Sequence, residues 1–96
     1  MATKKDKSRA QQYADSLAYF GVDLKDCRVL RFHFQNEREL QTFHHKAMDK
    51  CFPMYYLFDC VGDDAYVVIP QMDGVERELT QIAQEMGGVP LKPDMK

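Results

Sequence analysis

The residues able to do chemistry are few, and their spacing sets most of them aside. Cys27, Cys51 and Cys60 are odd in number and contain no C-x-x-C pair, so neither a disulfide framework nor a zinc knuckle is expected. They read as reduced thiols packed as small hydrophobes. His44 and His45 are adjacent, and on a helix neighbours point about 100° apart, unlike the i, i+4 pairs that chelate one ion. They read as surface histidines. His33 and the three cysteines follow no zinc spacing, so neither a metal nor any other cofactor is expected. A cysteine nucleophile paired with a histidine stays open, but no nucleophile elbow, glycine-rich phosphate loop or paired-carboxylate motif accompanies it. Asp63 and Asp64 follow Gly62 in a turn, where solvation accounts for both.

The elements that would position these groups belong to one small domain. A chain of 96 residues, 45% hydrophobic and 29% charged, has the composition of an ordinary folded globule. It buries roughly 60 to 65% of its unfolded surface, enough for one modest core. No apolar run approaches the ~18 residues of a membrane helix. Lys4, Lys5, Lys7 and Arg9 precede no signal-peptide segment, so a cytoplasmic location without a membrane partner is expected. A net charge of -2 gives no general attraction to phosphate or anionic lipid.

Periodicity predicts a flexible tail over residues 1–7, a single α+β domain over 8–92 and a flexible end over 93–96. A first helix runs from Ser8 to Phe20, with Ala10, Tyr13, Ala14, Leu17 and Ala18 on one face and Gly21 ending it. A strand follows from Arg28 to Gln35, in which Leu30, Phe32 and Phe34 alternate with Val29, Arg31, His33 and Gln35. Asn36 and Glu39 form a capping-box pattern, and Leu40, Phe43, Ala47 and Cys51 then mark a helix that stops at Pro53. Met54 to Val61 and Ala65 to Pro70 read as a hairpin across Gly62-Asp63-Asp64. Asp73 is expected to cap a third helix with Val75, Leu79, Ile82, Ala83 and Met86 on one face, stopped by Gly87 and Gly88. Val89 to Leu91 is either an edge strand or none, because Pro90 cannot donate to a ladder.

Joined by right-handed crossovers, these elements give a ferredoxin-like split βαβ sandwich preceded by an N-terminal helix. The second and third helices cover Leu30, Phe32 and Phe34. The opposite sheet face carries Arg31 and His33, with Tyr56, Phe58, Tyr66 and Val68 expected beside them. The N-terminal helix is the first candidate to cover that face, and a second subunit or a partner is the other.

Without a catalytic motif, the expected role is that of a non-catalytic regulatory protein, monomeric or homodimeric, that binds a larger protein and inhibits it. The residues expected to anchor the partner are Arg31, His33, Tyr55, Tyr56, Phe58 and Tyr66, at the centre of a contact of about 800 Å² per partner. A nucleic-acid-binding module is an alternative, since RNA-recognition domains share the βαββαβ order and stack bases on sheet aromatics. Their basic-Gly-aromatic-Gly-aromatic run is absent here, however. The third strand reads Asp64-Ala65-Tyr66-Val67-Val68-Ile69, and acids repel a phosphate backbone. A dimeric ligand-binding or enzymatic sandwich is the remaining alternative.

Phe20-Gly21-Val22-Asp23-Leu24-Lys25-Asp26-Cys27-Arg28 leads into Val29-Leu30-Arg31-Phe32, a Tyr-Val-Val-Ile strand stands at Tyr66 to Ile69, and a helix closes on Ala83-Gln84-Glu85-Met86-Gly87-Gly88. In these motifs, from Leu17 to Gly88, the chain resembles the regulator B type of ribonuclease E inhibitor. After Gly-Gly the family typically has a Tyr-Asp-Gly-Trp type ending, where this chain has Val89-Pro90-Leu91-Lys92. The family's described inhibitors are also strongly acidic, and this chain is not. The resemblance implies a small α+β fold and inhibition without catalysis.

Overall fold

The computed structural model describes residues 8–51 and 55–95. The expected tail, Pro53, Met54, Lys96 and the side chain of Cys51 lie outside the described residues. In chain order the elements are α1 (Arg9–Ala18), a 3-10 turn (Leu24–Asp26), β1 (Cys27–His33), α2 (Glu37–Cys51), β2 (Leu57–Val61), β3 (Asp64–Pro70), α3 (Asp73–Glu85) and β4 (Val89–Leu91). The fold is α+β, with an open four-stranded sheet in the order β2-β3-β1-β4. Every neighbouring pair is antiparallel. β1 and β2 therefore run parallel with β3 between them, and α2 is the crossover that connects them. α3 joins β3 to β4 across β1 in the same way. Among the described residues no helix is long and apolar enough to cross a membrane.

Alternation along β1 builds the main core. Leu30, Phe32 and Phe34 share one face with Ala65, Val67 and Ile69 of β3. Leu40, Phe43 and Ala47 of α2 and Val75, Leu79, Ile82 and Ala83 of α3 close over them. Phe43 sits at the centre, its ring 5.4, 5.1 and 5.6 Å from those of Phe32, Phe34 and Phe58. The start of α2 follows its sequence signal, with the Glu39 N–H donating to Asn36 Oδ1 at 2.9 Å.

The start of α3 does not. Asp73 lies in the first turn, and Met72 holds the cap position without a side-chain bond. The Asp73 carboxylate instead accepts from Arg28 Nη1 at 3.1 Å, and Glu76 accepts from the same nitrogen. An ion pair to β1 has taken the carboxylate expected to cap, while the negative charge still suits the helix N-terminus.

The hairpin corrects a second expectation. Val61 already pairs with Asp64, so the loop has two residues, Gly62 and Asp63. Gly62 takes φ 62 at the first loop position, a conformation that side chains with a Cβ resist. A three-residue turn would pair Val61 with Ala65 and place Phe58 beside Tyr66 on the second face. The one-residue difference turns every side chain of β2 over. Phe58 stands opposite Val67 and packs into the core under α2, whereas Leu57 and Val61 face the same way as Tyr66 and Val68.

β4 forms as a three-residue edge strand, with Pro90 opposite Phe32. The Phe34 N–H donates to the Asp63 carbonyl, so even-numbered residues of β1 direct their backbone polar groups toward β3. Phe32 and Pro90 therefore form a non-hydrogen-bonded pair, and the missing proline N–H leaves nothing unsatisfied.

Candidate functional site

The second sheet face is closed from within the chain. Ser8 Oγ accepts the Gln11 N–H at 3.1 Å and starts α1. The helix ends where the Val22 N–H reaches back to the Leu17 carbonyl and the Gly21 N–H to that of Ala18, both at 3.1 Å. Between these ends, Tyr13 and Leu17 are buried against Tyr66 and Val68, with Val29, Leu57, Val61 and Met95 packed around them. The residues after β4, read from sequence as a loose end, run back across this face as a strap. Arg31 Nη1 donates to the Lys92 carbonyl at 3.2 Å, Arg9 Nε to that of Asp94 at 3.0 Å and the Ala10 N–H to that of Met95 at 3.0 Å.

A charged cluster lies along the margin of this cover. Register places Arg31 opposite Tyr66 and His33 opposite Asp64. The Asp64 carboxylate accepts from Arg31 Nε at 2.9 Å and Nη2 at 2.6 Å, and lies 2.6 Å from His33 Nδ1. The Arg9 guanidinium stands 4.5 Å from the Tyr66 ring centre and that of Arg31 5.7 Å, both within cation–π range. The Tyr13 hydroxyl donates to Asp59 Oδ2 at 2.8 Å. Burial, joined by the neighbouring Asp59 carboxylate, pushes the Tyr13 phenol well above its ordinary value.

Burial also pushes the Asp64 carboxyl up, but the bonds from His33 and Arg31 outweigh it and hold the group below its ordinary 3.8. The side chains of Asp64 and Arg31 are 13% and 26% exposed, so solvent screens the pair only in part. Asp64→Asn is expected to destabilise the fold by about 1–3 kcal/mol at neutral pH, measured by urea unfolding. Because the folded carboxyl is the stronger acid, its contribution is present above pH 3.8 and lost as pH falls through the folded value. The native chain should lose stability more steeply than the variant below about pH 4. Identical pH slopes would remove Asp64 from the account.

The six anchor residues do not converge. Arg31, His33 and Tyr66 share the covered face, but Tyr66 is 2% exposed and Arg31 is held by Asp64 and the strap. Phe58 belongs to the opposite face, its outer side stacked on the His44 ring at 3.9 Å. Tyr55 packs at the edge of the same core. His33 and Tyr56 reach solvent from separate places.

Neither described cysteine is set up as a nucleophile. Burial, then nearby carboxylates, pushes both the Cys27 and Cys60 thiols up, which keeps them protonated. Burial and the neighbouring His45 push the His44 imidazole down, favouring its neutral form. Among the described residues no cluster of His, Cys, Asp or Glu is placed to hold a metal ion. Tyr19 and Phe20, to which the sequence patterns assign no functional role, are 91% and 72% exposed at the end of α1. The available signal was their position, two aromatics directly before Gly21 and outside the helix's apolar stripe. Comparison with family models, curated proteins and solved structures finds no match to this chain.

Proposed function

We propose that this chain is a small non-catalytic regulator of the cytoplasm that binds a larger protein and inhibits it by occupying its surface. The β2-β3-β1-β4 order, with α2 and α3 packed on one face, supports its assignment to the ferredoxin-like split βαβ sandwiches. The motifs shared with the ribonuclease E inhibitors make an endoribonuclease of that type the first partner to test.

The observation that carries this reading is the cover over the second sheet face. A base-stacking platform needs its aromatics in solvent, and Tyr66 lies beneath α1 with Arg9 against its ring. This weighs against nucleic acid. The surface left for a partner is the outer side of the helices, where α2 presents Arg38, His45 and Met48 on a rigid frame.

The test is cleavage of a short fluorogenic RNA by a ribonuclease E-type enzyme while the purified chain is titrated in. Inhibition saturating at one chain per catalytic subunit is expected, with no retardation of the RNA by the chain alone. Arg38→Glu combined with Met48→Glu should weaken inhibition by at least about tenfold without changing the melting temperature. An unimpaired enzyme that forms no complex at micromolar concentrations would reject this partner. Retardation of RNA that salt abolishes would favour nucleic-acid binding.

A further inference from the structure

Isolated exposed apolar side chains are ordinary on protein surfaces. Tyr19 and Phe20 are different, because they are consecutive, 91% and 72% exposed, and fixed by the backbone bonds that close α1. Next to them lies a hollow of about 390 Å³ lined by Ala14, Ala18, Gly21, Val22, Asp23 and Leu24. Its walls are low because Ala14 and Ala18 stand one turn apart on α1. Projection and hollow adjoin through the chain itself, as Ala18 precedes Tyr19 and Gly21 follows Phe20.

We infer that this patch is an interface between two copies of the chain, in which the Tyr19–Phe20 projection of each copy seats in the hollow of the other. A surface that carries a shape and its complement side by side suits a two-fold contact, where one patch meets itself. The sizes agree. A cavity of roughly 150 Å³ takes one benzene ring, so the hollow has room for both aromatic rings. The rim carries both signs, with Asp23 and Lys25 3.7 Å apart and their side chains 56% and 80% exposed. About a two-fold axis, Asp23 of one copy can face Lys25 of the other, and the patch does not repel itself.

Area sets the strength. Each aromatic side chain removes about 150–250 Å² from water when buried. Projection and hollow together then bury roughly 350–550 Å² per copy, well below the ~800 Å² of a standard stable interface. The dimer is therefore weak and concentration-dependent. It uses a different surface from the enzyme-facing side of α2, and the purified chain alone tests it.

Sedimentation equilibrium over about 1 µM to 1 mM should show a monomer–dimer equilibrium with a dissociation constant of about 10–500 µM. Tyr19→Ser with Phe20→Ser removes the projection, and Ala18→Arg fills the hollow. Both changes lie on the surface, so circular dichroism melts should match the unsubstituted chain. Each variant alone should need at least about tenfold higher concentration to associate. Mixed together, they should recover part of the association, because the projection of the Ala18→Arg variant still fits the open hollow of the other. A chain that stays monomeric to about 1 mM would overturn the inference. So would a dimer indifferent to both variants, or a mixture that associates no better than its parts.

Discussion

Replacing Phe43 with alanine is expected to remove about 3–5 kcal/mol of stability. A small domain has only about 5–15 kcal/mol in total, so the variant should stand close to unfolding at physiological temperature. The ring is fully buried and touches three aromatic neighbours, Phe32 of β1, Phe34 directly after it and Phe58 of β2. It is the point at which α2 is fastened to the sheet. The cavity left by its removal cannot collapse readily, because Phe32 is fixed within the paired β1 and Phe34 is tied through its N–H to Asp63. Urea unfolding gives the loss as a shift in midpoint at constant slope. Phe43→Leu, which keeps most of the volume, should lose less than half as much. A loss below about 1 kcal/mol for the alanine variant would mean that α2 does not seat on the sheet as described.

Gly88→Ala should destabilise by about 2–3 kcal/mol although it adds a single methyl group. A Cβ at this position would stand 2.6 Å from Phe34 Cε1 and 2.9 Å from both Phe34 Cζ and the Ala83 carbonyl oxygen. The ring cannot swing aside, because Phe34 is fully buried and packed on Phe43. The carbonyl cannot retreat either, because it accepts the Gly88 N–H at 2.8 Å and belongs to the last turn of α3. The end of α3 and the entry to β4 have to move together. Gly74 is the internal control, since a Cβ there meets nothing within 4 Å and the residue lies inside α3. Gly74→Ala should be neutral or stabilising by up to about 1 kcal/mol. Equal thermal shifts for the two variants would refute the close packing at Gly88.

Much of this architecture was legible in local patterns. The alternation in β1, the Asn36 cap and the stripes of α2 and α3 are periodic signals contained in the segments they describe. What the sequence left hidden depended on partners far along the chain. Whether Asp64 ends the turn or begins β3 cannot be read from an Asp-Asp pair that suits either place. Arg31 and His33, 33 and 31 residues earlier, hold it in the strand, and the face assigned to Phe58 changes with it. Asp73 fails to cap for a similar reason, as Arg28 lies 45 residues away. Arg31, His33 and Tyr66 were correctly grouped on one face. Cover of that face by α1, the first expectation, is what forms, although the helical stripe itself names no docking partner.

The strap that fastens α1 bears on what one side of the sheet exposes. Arg9 meets the Asp94 carbonyl across 85 positions, whereas the core beneath α2 and α3 is complete without that contact. Contacts between distant positions carry the larger loop-closure entropy. Opening the strap and lifting α1 away would leave Leu57, Val61, Tyr66 and Val68 bare on one side of the sheet. Exposed strand surface of this kind is where folding chains adhere to one another. Arg31, Asp59 and Asp64 stand on the same side, and with the strap open they act as charged gatekeepers that keep one opened molecule off the next.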